Sequence, residues 1–535
     1  MSAPTFNLVD EPWISVRLRN GESETISLRG VFHRAAEIKR IAGDLPTQDF
    51  AVLRTVLAVM YRALESDEAI DEIWASGSLP LRELDTYLDE WRDRFDLFDP
   101  THPFMQVAGL TSTSGETKPL GILVPDAPGA GSLFTMRRDV ADLSFAEAAR
   151  WLIHCQAYDY DGIKSGAVDD SRTKGGRGYP VGIGWTGWTG GLYIEGHDLR
   201  ETLLHNWVPS VDAAKRRSDR AIWELEPLTP QPRGAVDIGP FGPVGLFTWP
   251  IRHIRLFPDG ARVTRVLICV GDPISKASQL TNEPMTSWRY SEPQTKKATS
   301  ATPLYMPRAH DFSRALWRGL TALLPDPEPK RDAKGIVLSY PSTIVERLGL
   351  RVTEGDIPNR IVGLVSVGVE YGANMSSYSE IFSDSLVLHP AVADATGSAR
   401  WCVTDAVRRA DDAVSALARL ASDLAVADGG ERTVAGAKAR ATAFHALDQQ
   451  FRDWVRMVDN DRDSEDLMQA WFGMARETIN HLADQLLDSA TTRSRSVRIV
   501  DGHEVSAGAS ANWFRFNLDR HLPPARKDDA HDRQS

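Results

Sequence analysis

From residue 398 onward, apolar side chains recur at steps that fit one kind of packing. Val403, Val407, Ala410, Val414, Leu417, Ala421 and Leu424 are spaced by 4, 3, 4, 3, 4 and 3 residues, and "DGG" follows at 428–430. That alternation keeps one stripe on one side of an α-helix, and the glycines stop the helix. Phe444, Leu447, Phe451, Trp454 and Val458 form a second seam, and Leu467, Trp471, Ala475, Ile479, Leu482 and Leu486 form a third behind a predicted Ser464 cap. A shorter helix near "SANWFRFNLDRHL" ends at Pro523 and Pro524. No stripe can bury itself, so four of them joined by short polar links predict an antiparallel four-helix bundle over 393–524. The stretch "ARKDDAHDRQS" at 525–535 is expected to be a disordered tail.

Residues 1–392 read differently. Short strand-like runs ("RVTRVLICV", "IVGLVSVGVEY") alternate with helical stretches and Gly/Pro turns, so the fold class is α+β, a large mixed N-terminal domain followed by the all-α bundle. One early helix is clear after Pro46, where Phe50, Leu53, Leu57, Met60 and Leu64 define an apolar face. The net charge of −12 argues against a protein that coats nucleic acid with its whole surface, while leaving room for local basic paths. Cys155, Cys269 and Cys402 are too far apart for a CxxC pair, so buried free thiols are expected rather than a zinc ribbon or disulfides. The start "MSAPTFNLVDEPW" has no basic, then apolar, leader and no run reaches the roughly 18 apolar residues of a membrane span, which predicts a cytoplasmic protein.

The stretch "AYDYDGIKSG", 157–166, tests three chemistries. A Walker-type phosphate loop needs a glycine immediately before its lysine, and Lys164 lacks one. "GIGWTG", Gly182 to Gly187, satisfies GxGxxG, but the following "WTGGLYIEG" reads as turn and strand rather than a pyrophosphate-holding helix. Asp159 and Asp161, or Asp169 and Asp170, could hold a divalent metal for a nuclease or other hydrolase, against the plainer reading of turn formers. No HExxH or GxSxG motif appears, so the residues offer no strong catalytic constellation and no catalytic residue, metal ligand or cofactor is assigned from them. What stands out is backbone freedom beside positive charge: ten glycines lie between Gly162 and Gly191, with Lys164, Arg172, Lys174 and Arg177 among them. Such a segment suits close approach to a phosphate-bearing polymer, or is a plain surface loop.

"FNLVDEPWISV" (6–16), "HPFMQV" (102–107), "GIKSG" (162–166) and "YGANMSS" (371–377), followed by the bundle, together resemble the CasA family, the large subunit of the type I-E CRISPR surveillance complex Cascade. The resemblance implies a subunit that works with the other Cascade subunits and CRISPR RNA. It would read the protospacer-adjacent motif (PAM) of double-stranded target DNA through the minor groove, help open the duplex and recruit the CRISPR-associated helicase-nuclease. Base pairing then reads the long sequence and protein reads the short tag. Carried over by position, the glycine loop falls on Gly162 and Lys164. The wedge falls on Asn374, Met375 and Ser376, and the lysine finger on Lys276, with Arg289 as the fallback. A guide-RNA contact falls on Phe134, Arg137 and Arg138. Two departures stand out: the loop carries Asp159 and Asp161, whose carboxylates repel phosphates, and the wedge has no glutamine. Met375 is either an apolar wedge between base steps or a core gap-filler.

Overall fold

Helix α1 (Pro46–Ala63) starts on a proline whose missing N–H costs nothing in the first turn. The predicted face is buried, and so are Val52, Val56, Val59, Thr55 and Arg54, which puts α1 inside the unit rather than on its surface. Arg54 is tolerated there because both of its terminal nitrogens bond Glu283, at 3.0 and 2.8 Å. Packed against it is α2 (Phe145–Tyr158). Its first turn is closed by a capping box in which Ser144 Oγ accepts from the Glu147 N–H and the Glu147 carboxylate accepts from the Ser144 N–H. Ser144→Ala is expected to cost about 1 kcal/mol, read as a lowered urea midpoint for the first unit.

The computed structural model describes residues 4–524 apart from 65, 67, 69, 128–139, 235–238, 278 and 501–502. Two units divide the chain. The first holds 1–312, 328–358 and 362–385, and the second holds 313–327, 359–361 and 386–535. The expected boundary at 392/393 therefore falls seven residues earlier, and 313–327 joins the helices. The reason is local packing: Trp317 stacks on Phe451 at 4.4 Å and its indole N–H donates to Asp448 at 2.9 Å.

In the first unit, β1 (Lys164–Ser165) pairs with β2 (Arg177–Gly178), and Ser165 lies parallel to Cys269 of a long hairpin. A second sheet holds β3 (Gly191–Glu195). The long hairpin is β4 (Arg252–Asp259) with β5 (Arg262–Val270), in register from Arg252↔Val270 to Asp259↔Arg262. Strand β6 (Val362–Tyr371) lies between β3 and β7 (Tyr378–Leu388).

In the second unit the four helices are α3 (Ser398–Asp428), α4 (Arg432–Val455), α5 (Ser464–Asp488) and α6 (Ala507–His521), with α3 against the other three. Every residue of the first two predicted seams is buried. Gly429 ends α3 with φ 84°, where a side chain would be strained. Three details differ from the sequence expectation. The cap of α5 is Asp463, which accepts from the Glu465 and Asp466 amides, because a carboxylate also meets the helix dipole. The third seam loosens at Leu482 and Leu486, which are only half-buried. The link before α6 contains a hairpin, Arg498–Val500 with His503–Val505, instead of a short polar turn. The predicted tail at 525–535 lies outside the described residues. All three cysteines are buried free thiols, as expected. Among the described residues no helix is long and apolar enough to cross a membrane.

Candidate nucleic-acid interface

The end of α2 runs directly into the loop 159–162. The Asp159 N–H closes the last turn on the Cys155 carbonyl at 3.0 Å. Its side chain is buried, the residue 1% exposed, with Lys164 Nζ at 2.8 Å and Arg252 Nε at 2.5 Å. Burial by itself opposes ionisation of Asp159. Lys164 and Arg252 more than reverse that and hold its carboxyl below the ordinary carboxylate range. Arg252, at the head of β4, also donates to the carbonyls of Tyr160 (2.8 Å) and Gly182 (2.9 Å). One guanidinium thus ties two glycine-bearing segments together. Gly184 completes the junction: its N–H donates to the Asp159 carbonyl at 2.9 Å, and a Cβ there would stand 2.2 Å from the Ala157 carbonyl oxygen.

The role expected of Lys164 changes accordingly. Its side chain is 9% exposed, held by Asp159 and lying over the Tyr160 ring at 3.9 Å. In this structure it braces the loop from inside, and the Asp159 carboxylate is turned inward and neutralised rather than set against a ligand. Asp161 is likewise occupied, since its Oδ1 accepts from the Gly162 and Gly182 amides at 2.9 and 3.1 Å. Gly162 itself has φ 133°, a conformation that side chains avoid, and a Cβ built on it would meet nothing within 4 Å. Its bare backbone faces open space.

Far-separated residues converge on this loop. Strands β6 and β7 are joined by 372–377, where Asn374 and Met375 both have left-handed backbones, φ 54° and 56°. Asparagine adopts that region readily and methionine does not, so the tip stores strain of about 1–2 kcal/mol. Asn374, Met375 and Ser376 are all exposed, which removes the gap-filling reading of Met375. The Met375 carbonyl accepts from the Asp161 N–H at 2.8 Å. Lys276, in a bend after Pro273, lays its ammonium over the Trp188 indole, 2.7 Å from the ring centre. Burial pushes Lys276 down to about 8, partly opposed by the Asp161 carboxylate. The fallback Arg289 is exposed on the strand Ser287–Tyr290, opposite Met306 and Ser339.

Trp188 was not legible as part of the site. It sits on a five-residue helix, Trp185–Thr189, where turn and strand were expected, and Gly191–Glu195 then forms the strand. A tryptophan in a GxGxxG context gives no signal that a lysine 88 positions later will lie on it. Of the other cations in the glycine stretch, Arg172 is bound inward to Asp170 at 2.9 Å and to the Gly271 carbonyl at 2.7 Å. Lys174 and Arg177 are exposed, flanking a tight turn built on Gly175 and Gly176, both with positive φ. Asp170 is therefore a structural partner of Arg172, and Asp169, φ 64°, is a turn former. Among the described residues no group of three or more His, Cys, Asp or Glu side chains could hold a metal ion. Phe134, Arg137 and Arg138 lie outside the described residues.

Residues 7–482 match the family model described as CRISPR-associated protein Cse1. The chain belongs to the Cse1 family. A curated Cse1 relative, the CRISPR-associated protein CasA/Cse1 of Thermus thermophilus, is 29% identical over 375 residues, 68% of each protein. Thermobifida fusca Cse1 is 36% identical with a TM-score of 0.87 over 98% of this chain and 99% of that one. Cse1 from Acidimicrobium ferrooxidans is 28% identical with a TM-score of 0.81 over 98% and 100%. A chain of an RNA-guided CRISPR surveillance complex shares the fold at 19% identity, TM-score 0.66, over 97% and 99%. The α+β body followed by a helical bundle is thus the Cse1 architecture.

Proposed function

We propose that this Cse1-family chain is the large subunit of a type I-E RNA-guided surveillance complex, that it reads the PAM of double-stranded DNA through the minor groove, and that it helps open the duplex. One observation carries the reading: the Gly162 N–H and the Met375 carbonyl, 213 residues apart, both bond Asp161, and the charge of Lys276 over Trp188 is favoured by the same carboxylate. Their chemistries are complementary. A glycine backbone open to solvent can enter a groove only about 6 Å wide, a lysine supplies a donor for the acceptors on its floor, and an exposed apolar side chain can unstack a base step. The minor-groove code is degenerate, so several PAMs should be accepted. Asn374 and Ser376 offer polar groups beside the wedge, and Lys164 supports Gly162 from behind.

The family membership and the shared fold of a surveillance-complex chain support assembly with other Cascade subunits and CRISPR RNA. Neighbouring subunits can supply the cationic surface that a chain of net charge −12 lacks. Guide-RNA contact at Phe134, Arg137 and Arg138 rests on the family resemblance, and an aromatic to stack with two cations for phosphates is compatible with it. Recruitment of the helicase-nuclease rests on the family resemblance. The role is binding without catalysis.

The test is duplex binding by the reconstituted complex across a PAM library, with and without this subunit. PAM preference is expected only when the subunit is present, and indifference in both cases would overturn the reading. Met375→Ala is expected to leave PAM preference while reducing opening about tenfold, measured by permanganate reactivity beside the PAM, because unstacking a step takes a few kcal/mol that the wedge supplies in part. Metal-dependent cleavage by the purified chain in Mn²⁺, lost in Asp161→Ala, would replace this reading with a hydrolase.

A further inference from the structure

We propose that Tyr371 is a positioning residue that makes PAM reading and duplex wedging a single mechanical event; this rests on the function proposed above. Tyr371 is the last residue of β6, and its hydroxyl donates to the Tyr158 carbonyl at 2.7 Å. That contact is built for: a Cβ at Gly187 would come 2.2 Å from the hydroxyl oxygen and 3.0 Å from Cζ, so glycine there leaves room for the ring. Burial foremost, with Tyr158 and Asp159 nearby, raises the Tyr371 hydroxyl well above its ordinary range, so it stays a donor at any working pH.

The hydroxyl is one of two struts. At the base of the hairpin Tyr371 holds Tyr158, and at its tip the Met375 carbonyl holds the Asp161 N–H at 2.8 Å. Both struts join the same two stretches, 158–161 and 371–375. Between them runs a row of rings, with Tyr371 5.8 Å from Tyr378 and Tyr378 edge-on to Tyr160 at 5.5 Å. Tyr160 in turn lies under the Lys164 ammonium. The strained tip therefore cannot shift without moving the backbone beside Gly162, and a groove pressing on Gly162 moves the tip. With only the Asp161–Met375 bond the hairpin could pivot about a single point; the Tyr371 bond removes that freedom.

The experiment uses the reconstituted complex with Tyr371→Phe, which keeps the ring and deletes the hydroxyl. PAM-duplex affinity and PAM preference are expected to stay within about twofold of the parent. Opening, read from 2-aminopurine fluorescence beside the PAM, should fall about fivefold, the size of one hydrogen bond. A duplex carrying a pre-formed bubble beside the PAM should restore the parental signal, because the wedge is then no longer needed. Gly187→Ala should show the same split, since its Cβ displaces the ring. Parental opening in Tyr371→Phe would overturn the coupling while leaving PAM reading intact. Equal losses of affinity and opening that the bubble does not rescue would reduce Tyr371 to a purely structural role and also overturn it. A parent complex indifferent to the PAM would instead sink the function on which it rests.

Discussion

Arg252→Met should destabilise the first unit by about 3–5 kcal/mol, the usual cost of removing one partner from a buried ion pair. Methionine fills similar volume, so packing alone is not the cause. Asp159 would keep only Lys164, and the carbonyls of Tyr160 and Gly182 would lose a donor in a site 1% exposed at Arg252. The measurement is urea unfolding of the purified chain, with the two units followed separately because a two-unit protein need not unfold in one step. Asp159→Asn added to Arg252→Met should recover part of the loss by removing the uncompensated charge. A pH signature accompanies it. The folded-state pKa of Asp159 lies below its unfolded value, so its pairing stabilises the protein above the unfolded pKa, and that contribution is lost as pH falls through the folded one. Losing Arg252 raises the folded pKa, which moves the acid-induced loss to higher pH. A midpoint within experimental error of the parent would show that the loop is held by other contacts.

Lys276→Ala is expected to weaken PAM-dependent duplex binding by about 10- to 100-fold, the range for hydrogen bonds that involve a charged group. The pH profile separates a reading lysine from a bystander. Burial against its surroundings lowers Lys276 to about 8, so in the free protein the ammonium is lost as pH rises through 8 rather than near 10.5. DNA restores the charged form because the groove is negative, and binding above pH 8 therefore takes up a proton. Affinity should fall by up to about tenfold per pH unit from pH 8 toward the pKa of the complex. Lys276→Arg, charged throughout, should give a flat profile over roughly pH 7 to 9.5 at constant ionic strength. A flat profile in the parent would remove Lys276 from the groove.

The sequence by itself determined the parts of this protein whose physics is local. A 3–4 apolar alternation dictates a bundle helix wherever it occurs, which is why the seams of α3 and α4 were legible to the residue and Gly429 marked a helix end. The open glycine at 162 and the turn-forming Asp169 were legible for the same reason, since a positive φ is a preference of one residue and its neighbours. Family phrases nominated Lys276 and Met375 as further members of the candidate site.

Tertiary structure alone decided which lysine is tied inward and which aspartate is silent. "DYDGIKSG" contains no sign that Asp159 will be buried, because the guanidinium that makes its burial tolerable is Arg252, 93 residues away. Once that pair forms, Lys164 is drawn to the same carboxylate and ceases to be a free cation, while Lys276 lies over Trp188 with its charge favoured by Asp161. The same limit hid the place of Trp317 among the bundle helices, and the Tyr371–Tyr158 strut across 213 residues. Burying a charge is affordable only with its counter-charge in place, and the partner of a buried charge is set by the fold rather than by the neighbouring letters.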